Sequence, residues 1–322
     1  MNTKQKALLL SIILIIIIVV AAVALTQSTP QSDKLTVVAT FYPLAYLTER
    51  IGGDHVTVTQ LVPSNTEIHS WEPSASNIAA TQDANIIVYN GAGADHWMED
   101  DIIPSLSQSN NRVVVETTHG LTLIANQEHE EHEHEHEAGE EEHDHGEFDP
   151  HTWISPYMAA QQAEKIYDAL VQADPANQDD YTQNWQTLQS ELTQLDTEYS
   201  QGLQNAAVSQ IFVSHEAYGY LADRYGFEQN GVIGLSADEQ PTAETIATLV
   251  DEMEEHQIYV VYVDPVYSTS YAQTIKSEVE VQTGQSVTVL ELYLMLGPQG
   301  DMNYLQQLQA NLDNLKVGLD AT

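Results

Sequence analysis

Three histidines stand where predicted strands end or predicted helices begin. His69 lies in VPSNTEIHSWEP (62–73), His151 in DPHTW (149–153), and His215 closes IFVSH (211–215) just ahead of AYGYLADRYG (217–226). Imidazole is the commonest side-chain ligand for zinc-like cations. A lone histidine in a loop is more often structural. Three at the ends of separate elements, beside a further histidine cluster, form a candidate metal site.

That cluster is the run Glu128–Glu147, in which His129, His132, His134, His136, His143 and His145 alternate with acids. The run holds almost nothing apolar and cannot offset its conformational entropy, so 126–148 is expected to be a disordered loop. Interleaved imidazoles favour metal capture over inert filler. Without fixed geometry it is a poor selective site, and selectivity falls to the three separate histidines.

Composition narrows the function further. The chain has 322 residues and 42% hydrophobic content, enough for two domains with real cores. Cysteine is absent, which excludes disulfides, thiolate metal sites and a lipid-anchoring cysteine. There are 48 acids against 9 Lys and Arg, and only twelve of the acids lie within 128–149, so acidity belongs to the whole surface. Such a balance excludes nucleic acid as a partner, suits the handling of cations, and suits work at high salt, where repulsion is screened.

Lys4 and Lys6 precede Ala7–Leu25, apolar except for Ser11. As a helix that run spans about 28 Å, close to a hydrocarbon core. It is long for a signal peptide, so an uncleaved membrane anchor is expected, although Ala22-Val23-Ala24 resembles a cleavage site. Lysines ahead of the span put the body of the protein outside the membrane.

The elements that must position the histidines follow from Leu35 onward. Strand-like runs at 35–40, 56–62, 85–90 and 112–117 alternate with helical stretches at 42–51, 74–82 and 95–106. Helices are expected at 156–173 and 176–204, the second long, with Tyr181, Trp185, Leu188, Leu192, Leu195 and Tyr199 stepping by three and four. A second set follows: strands at 210–215, 231–235, 258–264 and 287–294, helices at 217–225, 242–256, 268–283 and 301–315. This is an α/β chain of two lobes, each a mainly parallel sheet flanked by helices, joined by one long helix with a metal cleft between them. The expected division is 1–32 anchor or signal segment and tether, 33–175 first lobe, 176–204 linking helix, and 205–322 second lobe.

From Leu35 to Leu315 the chain resembles the substrate-binding proteins of ABC importers for zinc and manganese. The resemblance rests on PxxxxxHxxEP (Pro63, His69, Glu72, Pro73), DPHxW (Asp149–Trp153), SHxAxGYLAxRYG (Ser214–Gly226) and Asp264-Pro265, in that order, with a His-rich loop after the first. It implies one ion held between two rigid lobes by His69, His151 and His215, and delivery to a membrane permease and its ATPase subunit. Three imidazoles suit Zn2+ over Mn2+, and some manganese members carry Glu at the position of His215. Discrimination from Ni2+ or Cu2+ is open. The family's acid after the last strand is replaced here by Leu294-Met295-Leu296, leaving Glu291, Asp301, Glu67 or water as fourth ligand, with Glu291 first among the side chains. Trp71 and Trp153 are expected to pack the ligand loops; His55, His96, His119 and His256 are expected to stay outside the site. A non-catalytic monomer at the cell surface is the leading reading. The alternatives are a zinc hydrolase, since three histidines and a water also make a catalytic site, and a surface metal buffer or adhesin.

Overall fold

Eight strands form two four-stranded sheets among the residues that the computed structural model describes, 34–107, 112–126, 147–234, 242–267 and 270–321. The apolar N-terminal segment and the His-rich run lie outside the described residues. Within them, no helix is long and apolar enough to cross a membrane.

The first sheet comprises β1 (Leu35–Ala39), β2 (Val56–Gln60), β3 (Ile86–Tyr89) and β4 (Val113–Glu116), in the order β2-β1-β3-β4. The second repeats the pattern with β5 (Gln210–His215), β6 (Glu228–Ile233), β7 (Val260–Val263) and β8 (Thr288–Glu291), in the order β6-β5-β7-β8. All pairings are parallel. Val37 of β1 lies opposite Val58 and Ile86, and Val213 of β5 opposite Gly231 and Tyr262. β3 is buried along its whole length and β5 from Ile211 to His215, as expected for parallel strands covered on both faces. Each sheet reverses its winding at its first strand, and the carboxyl ends there open onto the crevice where such folds bind ligands.

The helices are α1 (Tyr42–Gly52), α2 (Ala75–Gln82), α3 (Pro156–Ala173), α4 (Gln178–Leu203), α5 (Gly219–Tyr225), α6 (Ala243–His256), α7 (Ser270–Thr283) and α8 (Tyr304–Gly318). α4 is the long helix, 26 residues or about 39 Å. Its stripe of Tyr181, Leu188, Leu192, Leu195, Tyr199 and Leu203 is buried. Near its start Asn184 donates to the Ile51 carbonyl (3.0 Å) and Glu191 pairs with Arg50 (2.6 Å). Farther along, Tyr199 donates its hydroxyl to the Leu308 carbonyl (2.6 Å), and Asp196 accepts two bonds from Arg224 (2.5 and 2.7 Å). One helix thus grips both sheets' layers within one compact unit, Leu35–Thr322.

The elements depart from the sequence pattern in four places, the first being β6, which starts three residues before the expected 231. The stretch 95–106 splits into turns through His96 and a helical segment over Met98–Ser105. There the buried Asp95 carboxylate accepts the backbone N–H groups of Asn90 and Gly91 (2.8 and 2.9 Å) and holds the chain in a turn. β8 stops at Glu291 because the next N–H groups turn to side chains, Tyr293 to Asn311 (2.7 Å) and Leu294 to Asp264. α8 starts at Tyr304 instead of 301, where Asn303 and Gln306 form a reciprocal capping box.

Candidate metal centre

His69 comes from the loop after β2, His151 from the turn before α3, and His215 from the last position of β5. The structure brings all three together. Their ligand nitrogens lie within 4.8 Å of one another, with His151 Nε2 3.1 Å from both His69 Nε2 and His215 Nε2. For metal–nitrogen bonds of about 2.0–2.1 Å, tetrahedral ligands sit about 3.3 Å apart, so these spacings suit one small ion. His151 and His215 are buried and His69 is partly buried.

Each loop is pinned. His151 donates Nδ1–H to Asp149 Oδ1 (2.8 Å), and Oδ1 also accepts the His151 backbone N–H (2.9 Å). That bond leaves the Nε2 lone pair facing the other imidazoles, the usual device for orienting a metal-binding histidine. Asp149 is packed against Gly219, where a Cβ would overlap Oδ2. Its carbonyl accepts the Tyr220 hydroxyl (2.7 Å). The turn is backed by Asn90, whose side chain donates to the Pro150 carbonyl (2.9 Å) and accepts from Gln162 (2.9 Å).

The His69 loop is tied to the opposite lobe. Asn65, at φ 59°, donates its N–H to the Leu296 carbonyl (2.9 Å) and accepts from Gln299 (2.9 Å). Trp153 packs edge-on against Phe41 (4.7 Å between centroids) and donates Nε1–H to the Leu294 carbonyl (2.8 Å). Trp71 meets Trp97 edge-on at 4.5 Å. Both tryptophans pack the loops, as their sequence positions suggested.

Burial disfavours the charged form of two of the three imidazoles. It pushes the His151 and His215 imidazoles well below their usual range, and the neighbouring imidazoles push the same way. Burial also lifts the Asp149 carboxyl to about 7. Glu67 goes the other way: burial opposes its charge, but His69 and the Tyr267 hydroxyl outweigh that and hold it low.

The three carboxylates considered for a fourth ligand separate clearly. Glu291 is exposed and accepts the Tyr293 hydroxyl, and Asp301 is exposed. Glu67 borders the cluster, with Oε1 3.9 Å from His69 Nε2. The Glu291 side chain at the end of β8 faces solvent, while the His69 loop folds Glu67 inward. His96 and His256 are exposed, His119 lies beside Glu116 (3.7 Å), and His55 pairs with Asp180 (2.8 Å), all outside the cluster. Sequence reasoning missed Tyr267, which carries no motif. It also left Asp149 without a role, although a carboxylate two residues before a candidate ligand is itself a signal. The His-rich run's ends are described: Ala125 and Phe148 form an antiparallel bridge, and Asn126 donates to the Glu147 carbonyl (2.9 Å).

A family profile described as "ZnuA: Zinc-uptake complex component A periplasmic" matches residues 37–318. The high-affinity zinc uptake system protein ZnuA of Bacillus subtilis is 36% identical over 292 residues, covering 90% of this chain and 89% of that protein. The zinc-binding lipoprotein AdcA of Streptococcus pneumoniae is 32% identical over 301 residues, and there the match spans only 58% of the longer relative. Among solved structures, the Zn(II)-bound ZnuA-like domain of Streptococcus pneumoniae AdcA superposes with a TM-score of 0.72 at 29% identity, covering 89% of this chain and 99% of that one. The chain belongs to the zinc-uptake component A family.

Proposed function

We propose that this family member is the exported solute-binding component of an ABC importer: it captures Zn2+ in the cleft between its lobes and delivers the ion to a permease driven by an ATPase subunit. The reading rests on one observation above the rest, the three imidazole nitrogens that two loops and the end of β5 bring into one small volume. His69, His151 and His215 are assigned as the ligands. Neutral imidazoles suit Zn2+ better than the harder Mn2+. The relatives' printed names, zinc uptake and zinc binding, point the same way.

Residues 33–175 and 205–322 are assigned to the two lobes and 176–204 to the helix that joins them. Ala7–Leu25 is assigned as the membrane anchor, which keeps a monomeric body at the outer face. Some relatives are named lipoproteins, but this chain has no cysteine to carry a lipid, so a spanning segment takes over that task. The His-rich run is read as an accessory collector, its ends held three residues from His151 by the Ala125–Phe148 bridge.

Titration calorimetry tests the assignment. The chain should bind one Zn2+ tightly and further ions weakly. His69→Ala, His151→Ala and His215→Ala should each abolish the tight event. Deletion of 128–147 should remove only the weak ones. Loss of the tight event on that deletion would refute the ligand assignment.

A further inference from the structure

We infer that Asp264 is a positioning residue for the capture site: in the second lobe it sets Leu294 and Tyr267, the two groups that hold the His151 turn and the His69 loop of the first. The inference deepens the zinc-capture reading and rests on it.

Asp264 directly follows β7 and is 2% exposed. A carboxylate buried so deeply is costly unless its oxygens are engaged, and here both are. Oδ1 accepts the Val266 N–H (2.6 Å), and Oδ2 accepts the Leu294 N–H. The Asp264 carbonyl accepts the Tyr267 N–H (3.0 Å), which closes the turn after β7. With both oxygens taken by backbone donors, Asp264 is no ligand, and it lies outside the histidine cluster. Its bonds instead fix the turn after β7 and the loop after β8 against each other.

Each of these segments reaches across to the first lobe. The Leu294 carbonyl accepts Nε1–H of Trp153 (2.8 Å), two residues past His151. The Tyr304 hydroxyl donates to the Trp153 carbonyl, so the second lobe holds that residue by both side chain and backbone. Tyr267 donates its hydroxyl to Glu67 Oε2, while Glu67 Oε1 accepts the N–H groups of Ile68 (2.8 Å) and His69 (3.1 Å). Tyr267 also sets its ring 5.7 Å from that of His215. One carboxylic residue thus stands behind a contact to each histidine loop of the first lobe. A binding constellation has to be held to within about 0.5 Å. A group that fixes both contacts therefore acts on the captured ion without touching it.

Zn2+ competition titrations and Co2+ absorption spectra of the full chain test the assignment. Asp264→Asn keeps the side chain's size but turns a donor toward one of the two N–H groups. It should lower Zn2+ affinity about tenfold and alter the visible bands of bound Co2+. Trp153→Phe and Tyr267→Phe each remove one contact and should each lower affinity about fivefold. Combined with Asp264→Asn, either should cost less than it does alone, because residues that share a contact are not additive. Asn303→Ala, which removes the cap of α8, should lower the melting temperature but leave affinity and bands unchanged. Wild-type affinity and bands in Asp264→Asn, or full additivity in the combined variants, would overturn the inference; abolished binding in His151→Ala would leave the capture site standing. An equal loss of affinity in Asn303→Ala would reduce the effect to general destabilisation and overturn it too. Should Asp264→Asn fail to fold, the Trp153→Phe, Tyr267→Phe double variant decides: weakened binding supports the inference and wild-type binding overturns it. Wild-type binding in His151→Ala would overturn the capture reading itself.

Discussion

Asp149 shows how much of the proposed metal site lies one bond behind its assigned ligands. Its carboxylate sets the tautomer and direction of His151, and it fits only because Gly219 has no side chain. Asp149→Ala should therefore weaken Zn2+ binding about 10–100-fold while all three histidines remain. Gly219→Ala should weaken it too, by forcing Asp149 aside, although alanine is the better helix former and would on propensity alone stabilise α5. Calorimetric Kd values and melting curves on the same variants separate the two effects, and an unchanged Kd in Gly219→Ala would sink the argument. The clustering of His69, His151 and His215 was legible in the sequence because imidazoles at element ends are chemically distinctive. Tyr267 was not, since a tyrosine four residues past a strand looks like any packing residue until the opposite lobe places Glu67 against it.

The elements were legible to within a few residues wherever hydrophobic period alone decided them, as in α4 and the buried strands β3 and β5. They were misplaced where a polar side chain competed with the backbone. Asn311 and Asp264 end β8 early, Asn303 delays α8, and Asp95 breaks the predicted 95–106 helix. Asp95 also carries a testable pH signature. Burial lifts its pKa from 3.8 to about 6, against the pull of the backbone N–H groups it accepts. A raised carboxyl binds its proton more tightly folded than unfolded, so it favours the folded state in acid, and that contribution is lost as pH rises through about 6. The gap in unfolding free energy between wild type and Asp95→Asn should shift against the wild type by up to about 1.4 kcal/mol per pH unit between pH 5 and 6. By pH 7 it should be flat. Denaturant melts of metal-free protein at each pH measure the gap. A gap independent of pH would mean that Asp95 is already ionised in the fold and that its turn tolerates the charge.

At the scale of the whole molecule the dominant fact is charge. The formal net charge is −39, and the basic side chains are so few that Arg50, Arg224 and Lys276 account for three of the nine while each pairs with an acid. Exposed pairs of this kind contribute little. Self-repulsion among the remaining acids therefore sets the sign of the salt response. Raising salt from about 0.1 M to 1 M shortens the screening length from about 10 Å to about 3 Å. Metal-free protein should accordingly melt at a higher temperature in 1 M than in 0.1 M NaCl, and the gain should shrink when 128–147, rich in acids, is deleted. The same screening weakens the field that draws cations toward the cleft, so the Zn2+ association rate should fall over the range in which stability rises. The opposed slopes discriminate, because a protein held by surface ion pairs would lose stability with salt as well. Melting temperature and stopped-flow association measured on one salt series decide it, and a melting temperature that fails to rise would refute the repulsion argument.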